Sequence, residues 1–220
     1  MRDALAIFDV DGTLIDSGGI VVDTLTAAFE EAGASPPAPD AIRRGIGLSL
    51  SQMIATLADD LPESVFAEIV AGYRLRFAAA MEQGGEPPLY PGVEAGLARL
   101  AQAGLPLGIA TGKSQRGLDR LIEAKGWQAM FASLQCADHH PSKPHPSMIR
   151  RALLETATED GRAVMIGDSI YDMEMARAAE VHAIGVAWGY HSAEALSRAG
   201  AQTVFDDFDG LVDHLLERFA

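Results

Sequence analysis

Short apolar runs bounded by turn residues recur at Ala4 to Phe8, Leu105 to Ala110, Val164 to Ile166, Ala183 to Ala187 and Thr203 to Phe205. Most alternate with segments whose apolar positions fall three or four apart. Continuous apolar strands are those covered on both faces, so the pattern predicts a parallel sheet. Between the runs, Val93, Leu97 and Leu100 keep helical spacing before Gly104, and Leu118, Leu121 and Ile122 do so before Gly126; each glycine is a helix stop. Right-handed crossovers then give a doubly wound, Rossmann-like α/β core. In such sheets ligands lie beyond the carboxyl ends of the strands, where Asp9, Thr111 and Asp168 fall.

The stretch between the first two runs carries helical periodicity and no strand pattern. Ile20, Val21, Leu25, Ala28, Phe29 and Ala32 make one apolar face, and Val65, Phe66, Ile69, Val70, Tyr73 and Phe77 make another. Ser17-Gly18-Gly19 and Gly84-Gly85-Glu86-Pro87-Pro88 bracket it with hinge-like composition. The expectation is an all-helical cap over residues 17–83, inserted into an α/β core made of residues 1–16 and 84–220.

Composition narrows the partners. With 48% hydrophobic and 22% charged residues in 220, the chain is that of an ordinary globular protein. Its 17 Lys and Arg against 31 Asp and Glu, a formal charge of −14, disfavour nucleic acid or an anionic membrane as partner. A net acidic protein can still bind phosphate, which needs only a local metal and a lysine; a small phosphorylated metabolite therefore stays open as partner. Cys136 is the single cysteine and is expected to be a buried thiol. The absence of an export signal pattern or a membrane-spanning run places the protein in the cytoplasm by expectation, as monomer or homodimer.

The run Phe8-Asp9-Val10-Asp11-Gly12-Thr13 ends an apolar strand with two carboxylates two residues apart. Strand alternation sends Asp9 and Asp11 out on one side, where they are expected to converge, and two close anions need a proton or a cation between them. Attack by one carboxylate on phosphorus, with the second moving the proton and Mg²⁺ neutralising the site, uses both remedies. A calcium loop wants glycine at its sixth position, whereas Gly12 is fourth; a nucleotide-binding P-loop wants glycine where Leu107 stands. His139, His140 and His145 lack partners for a tetrahedral zinc site and read as loop residues, and Trp127 and Trp188 read as packing residues.

Three further pieces follow in order: Ala110-Thr111-Gly112-Lys113, then Lys143 between Ser142 and Pro144, then Gly167-Asp168-Ser169-Ile170-Tyr171-Asp172. With these four motifs in sequence the chain resembles the haloacid dehalogenase superfamily, and within it the phosphatases with a small helical cap, the phosphoglycolate phosphatases among them. The resemblance covers essentially the whole chain. It implies that Asp9 is a nucleophile forming an aspartyl-phosphate and that Asp11 protonates the leaving group and then activates water. Dehalogenase members lack the second aspartate, so Asp11 favours phosphoryl transfer. The resemblance further implies that Thr111 and Gly112 cradle phosphoryl oxygens. Lys143, stiffened by flanking prolines, faces the phosphate. Asp168 completes a Mg²⁺ site with Asp9 and the backbone carbonyl of Asp11, and Asp172 orients a metal-bound water from behind. Arg43 and Arg44, in the cap, are candidates to meet an anionic leaving group, the other reading being a solvated helix end. Two rival functions share these motifs: a phosphomutase of the β-phosphoglucomutase type, and a phosphate-binding regulator without catalysis.

Overall fold

The computed structural model describes residues 4–220; residues 1–3 of the expected core segment lie outside it. Among the described residues one sheet holds β1 (Leu5–Phe8), β2 (Leu107–Thr111), β3 (Phe131–Cys136), β4 (Ala163–Gly167), β5 (His182–Val186) and β6 (Thr203–Phe205), ordered β3-β2-β1-β4-β5-β6. Every pairing is parallel. β1 is central, with Phe8 opposite Ile109 of β2 on one side and Ile166 of β4 on the other. The α/β class expected from the apolar runs is therefore the one observed.

One strand escapes that pattern. β3 reads Phe-Ala-Ser-Leu-Gln-Cys, and its buried positions include Ser133 and Gln135. Both are satisfied by hydrogen bonds: Ser133 Oγ and Gln135 Nε2 each donate to Glu155 Oε2 at 2.7 Å. A buried polar pair with partners costs little, so this edge strand needs no apolar run.

Between β1 and Gly84 the regular elements are helices: α1 (Gly18–Glu31), α2 (Pro39–Gly45), α3 (Leu50–Leu57) and α4 (Glu63–Gly84), joined by turns, irregular segments and isolated bridges. Val21, Leu25, Phe29, Ile42, Ile54 and Ile69 bury one another in a cluster of their own. Of the glycines taken for hinges, Gly18 opens α1 against the Tyr190 ring and Gly84 closes α4, while Gly85 caps that helix with φ +76. Packing there outweighs the weak helix propensity of glycine.

After the cap come α5 (Val93–Gln102), α6 (Gln115–Lys125), α7 (Ser147–Thr156), α8 (Ile170–Ala178), α9 (Ala193–Ala199) and α10 (Phe208–Arg218). Alternation along β1 divides the core. Ala6 and Phe8 pack with Leu97, Leu121 and Leu211 on the face of α5, α6 and α10, while Leu5 and Ile7 pack with Met148, Met173 and Leu196 on the face of α7, α8 and α9. Cys136 is buried as a free thiol, and Trp127 is buried too. With both faces covered, the groups free for chemistry are those at the strand ends.

Candidate active site

β1 stops at Phe8, and the chain turns sharply through residues 9–15. Gly12 has φ +86, and a Cβ there would stand 2.3 Å from Asp168 Oδ2, so only glycine lets the turn close over the neighbouring strand end. Asp9 is fully buried; its Oδ1 accepts from Val10 N at 2.7 Å and faces Lys143 Nζ at 2.9 Å. Its other oxygen, Oδ2, is buried with no hydrogen-bond partner.

The turn from β4 into α8 brings two more carboxylates. Asp168 accepts from Thr13 Oγ1 at 2.9 Å and from Tyr190 N at 2.9 Å. Asp172 is fixed by a capping box: its Oδ2 accepts from Ser169 N at 3.2 Å, while Ser169 Oγ accepts from Asp172 N, and Ser169 Oγ also donates to Asp172 Oδ2 at 2.6 Å. Its Oδ1 takes Lys143 Nζ at 2.6 Å. Asp9, Asp168 and Asp172 each present an oxygen within 4.8 Å of the others.

Three carboxylates against one ammonium leave an excess of negative charge in a buried site. Burial pushes the Asp9 carboxyl well above its ordinary range, and Asp172 and Asp168 add to this against the opposing pull of Lys143. Asp168 is pushed up to about 7, by burial first and by Asp172 next. Burial alone would discharge Lys143, but Asp172 and Asp9 outweigh it and hold the ammonium above its usual range. The hard oxygen donors, the excess charge and the unpartnered Asp9 Oδ2 together fit a small divalent cation such as Mg²⁺. Asp172 lies beside Asp9 and Asp168 with both oxygens engaged, Oδ1 by Lys143 and Oδ2 by Ser169.

Asp11 is not part of the cluster formed by Asp9, Asp168 and Asp172. Alternation ends with the strand, and the Asp11 carboxylate turns to Lys113 Nζ, at 2.8 and 3.1 Å, and to Ser17 Oγ at 2.6 Å. Lys113 also lies 5.6 Å from the centre of the Phe77 ring of α4, so it touches core and cap together. Thr111 is buried at the end of β2, and its Oγ1 accepts from Lys113 N at 3.2 Å. Gly112 lies directly under the cap loop, where an added Cβ would be 2.5 Å from Leu48 O and 2.6 Å from Gly47 O.

A cavity of about 640 Å³ opens between cap and core, walled by Asp11, Gly112 and Lys113 on one side and by Leu48, Tyr73 and Phe77 on the other. Arg43 and Arg44 are not among its lining residues: Arg43 pairs with Asp40 at 2.8 Å, and Arg44 is exposed, its carbonyl oxygen 2.9 Å from His191 Nε2. The cavity's cations are Arg74, Lys113, Arg116 and Arg120. The sequence reading also passed over Ser17, Ser142 and Tyr190. The Tyr190 contribution is a backbone N–H, which no residue type announces; Lys113 was signalled by its place directly after Gly112.

Strand ends that gather carboxylates and a lysine beneath a helical cap describe an α/β enzyme. Residues 6–186 match the family model described as "Haloacid dehalogenase-like hydrolase", and the chain belongs to that family. It is similar to the phosphoglycolate phosphatase of Psychrobacter arcticus, at 31% identity over 100% of this chain and 98% of that one. It is likewise similar to "Probable phosphatase IndB" of Dickeya dadantii, at 34% identity over 94% of this chain and 91% of that one. Among solved structures, a hydrolase from Pseudomonas syringae superposes with a TM-score of 0.87 and 26% identity, covering 99% of this chain and 100% of that one. Among the described residues no helix is long and apolar enough to cross a membrane.

Proposed function

We propose that this chain is a Mg²⁺-dependent phosphatase of small phosphate monoesters, phosphoglycolate and sugar phosphates being the first candidates. The observation that carries the reading is Asp9 Oδ2: a buried carboxylate oxygen without a partner, amid two other carboxylates and a lysine at the strand ends. Its relatives named as phosphatases support the same class.

Asp9 attacks phosphorus, forming an O–P bond as the ester P–O bond breaks. The departing oxygen takes a proton from Asp11, which lies on the cavity side where a leaving group fits. Asp11 then removes a proton from water, whose oxygen attacks phosphorus and releases Asp9 and inorganic phosphate. Lys143 holds Asp9 and offsets charge on the phosphoryl oxygens, while Thr111 and Gly112 offer a hydroxyl and a backbone N–H to them. Asp9 and Asp168, with Asp172 beside them and the Asp11 carbonyl that the resemblance adds, would hold Mg²⁺, which would supply charge neutralisation at the phosphoryl group. The separate buried cluster of α1–α4 supports treating residues 17–83 as a cap that closes over the leaving group and excludes water.

The test is inorganic phosphate release from a panel of phosphate esters with and without Mg²⁺, beside Asp9→Asn. Metal-dependent release that the variant loses by about a thousandfold or more supports the reading. Isomerised sugar phosphate without net phosphate release would replace it with a mutase. A folded wild type inert on every ester would leave a non-catalytic protein.

A further inference from the structure

The cavity between cap and core has a charge balance opposite to that of the chain. Acidic residues outnumber basic ones by 31 to 17 overall, yet the cavity is lined by four basic side chains (Arg74, Lys113, Arg116 and Arg120) against Asp11 and Asp138. Two of the four are committed. Lys113 holds Asp11 at 2.8 Å, and Arg120 Nε pairs with Glu86 at 2.5 Å while its Nη2 donates to the Met81 carbonyl. Arg74 and Arg116 enter no ion pair among the described residues. Arg74 comes from α4 in the cap and Arg116 from α6 in the core, so they approach the cavity from its two separate walls.

Size and lining add a second constraint. Cavities of about 300–1,000 Å³ are those that take drug-sized ligands, and this one measures about 640 Å³. A two-carbon leaving group would fill a small part of it. The same lining carries Tyr73 and Phe77, an apolar surface that a ligand body can cover, together with the polar side chains of Ser49 and Ser114.

We infer that the substrate's leaving group is an acid carried on an apolar body longer than two carbons. This rests on the phosphatase reading and replaces its first candidate substrates, phosphoglycolate and sugar phosphates, with a longer acid ester. The ester oxygen lies at Asp11, the apolar body runs along Tyr73 and Phe77, and a carboxylate or second phosphate lies between Arg74 and Arg116. A guanidinium binds either anion through paired N–H donors, and one anion reaching both walls links cap closure to its presence.

The experiment compares kcat/KM with Mg²⁺ for benzyl phosphate, 4-carboxybenzyl phosphate, 4-phosphonobenzyl phosphate and phosphoglycolate, in wild type, Arg74→Ala, Arg116→Ala and Arg116→Glu. Both arginines are exposed, so these substitutions leave the core intact. The expected result is an acid ester ahead of benzyl phosphate and of phosphoglycolate by about tenfold or more, the scale of a charge-assisted hydrogen bond. That preference falls towards unity in the alanine variants and reverses in Arg116→Glu. Whichever of the carboxyl and phosphono esters leads identifies the anion. Equal rates for acid and neutral esters, phosphoglycolate ahead of the longer acids, or a preference untouched in all three variants would overturn the inference while leaving the phosphatase standing. Absence of Mg²⁺-dependent release from every ester would overturn both.

Discussion

The backbone N–H of Ser49, in the cap, donates to Ser142 Oγ in the core at 2.9 Å. Ser142 immediately precedes Lys143, whose ammonium grips Asp9 and Asp172. The cap loop therefore bonds to the same short segment that aims the buried cation. Losing one neutral hydrogen bond costs about 0.5–1.5 kcal/mol, so Ser142→Ala is expected to lower kcat/KM by roughly two- to tenfold, with a melting temperature lower by about 1–6 °C. Steady-state kinetics decide, and an unchanged kcat/KM would disconnect the cap loop from catalysis.

Gly112 leaves no room for a side chain. The atoms an added Cβ would meet are the backbone carbonyls of Leu48 and Gly47, which cannot rotate aside. Gly112→Ala must therefore lift the cap loop. A drop in kcat/KM of about tenfold or more is expected, carried mainly by kcat, with a far smaller loss of stability. A variant as active as wild type would mean that the loop need not approach β2.

Stability of the metal-free protein is expected to depend on pH through Asp168. Its carboxyl moves from an ordinary 3.8 to about 7 in the folded chain. Between those values the folded state holds a proton that the unfolded state has released, so stability falls as pH rises. The contribution is whole below about pH 4 and lost on passing pH 7, and is on the order of a few kcal/mol. Thermal melts in chelator should thus show a decline from pH 5 to pH 8 that Asp168→Asn flattens. Mg²⁺ should raise the melting temperature more at pH 8 than at pH 5, because protons compete with it for the carboxylates. Equal Mg²⁺ effects at both pH values would remove the carboxylate cluster as its site.

His140 spans both ends of the segment that carries Lys143, with Nε2 2.9 Å from Gln135 Oε1 and Nδ1 2.7 Å from Ser147 Oγ. Replacement by alanine strands two partly buried polar groups, at about 1–3 kcal/mol. That corresponds to a melting temperature lower by about 2–10 °C for a chain of this size, and kcat should fall with it as Lys143 loosens. Burial, helped by His139 and Arg151, holds the His140 pKa below its ordinary 6.5. Its share of stability is therefore present above that value and shrinks on acidification. His140→Ala should lose that part of the acid sensitivity, and identical pH profiles for variant and wild type would count against the brace.

Much of the architecture could be read from the chain because burial on both faces writes itself as apolar runs. Leu5 to Phe8 and Val164 to Ile166 are examples, buried throughout. β3 could not be read this way, since Ser133 and Gln135 are buried through hydrogen bonds to Glu155, a partner twenty residues or more away. The four motifs fall in the segments that end or follow β1, β2, β3 and β4, all at the carboxyl ends of the strands. Their aim was less legible. Asp11 turns to Lys113 where β1 has already ended, and Asp172 lies beside Asp9 and Asp168 because Ser169 caps α8. The cavity's arginines lay hidden for another reason. Arg43 and Arg44 precede a glycine-rich loop that does reach the site, whereas Arg74 and Arg116 stand on long helices where nothing local marks which face meets the cavity.

The central place of β1 bears on how the protein is made. Its neighbours begin only at Leu107 and Ala163, and the whole cap comes before either. During synthesis the cap can collapse onto its own cluster while the strand leading to Asp9 still has both edges bare. An apolar strand in that condition attracts chaperones and other nascent chains. Substitutions that delay docking of β4 will accordingly appear as lost soluble yield, in molecules whose finished copies turn over at full speed.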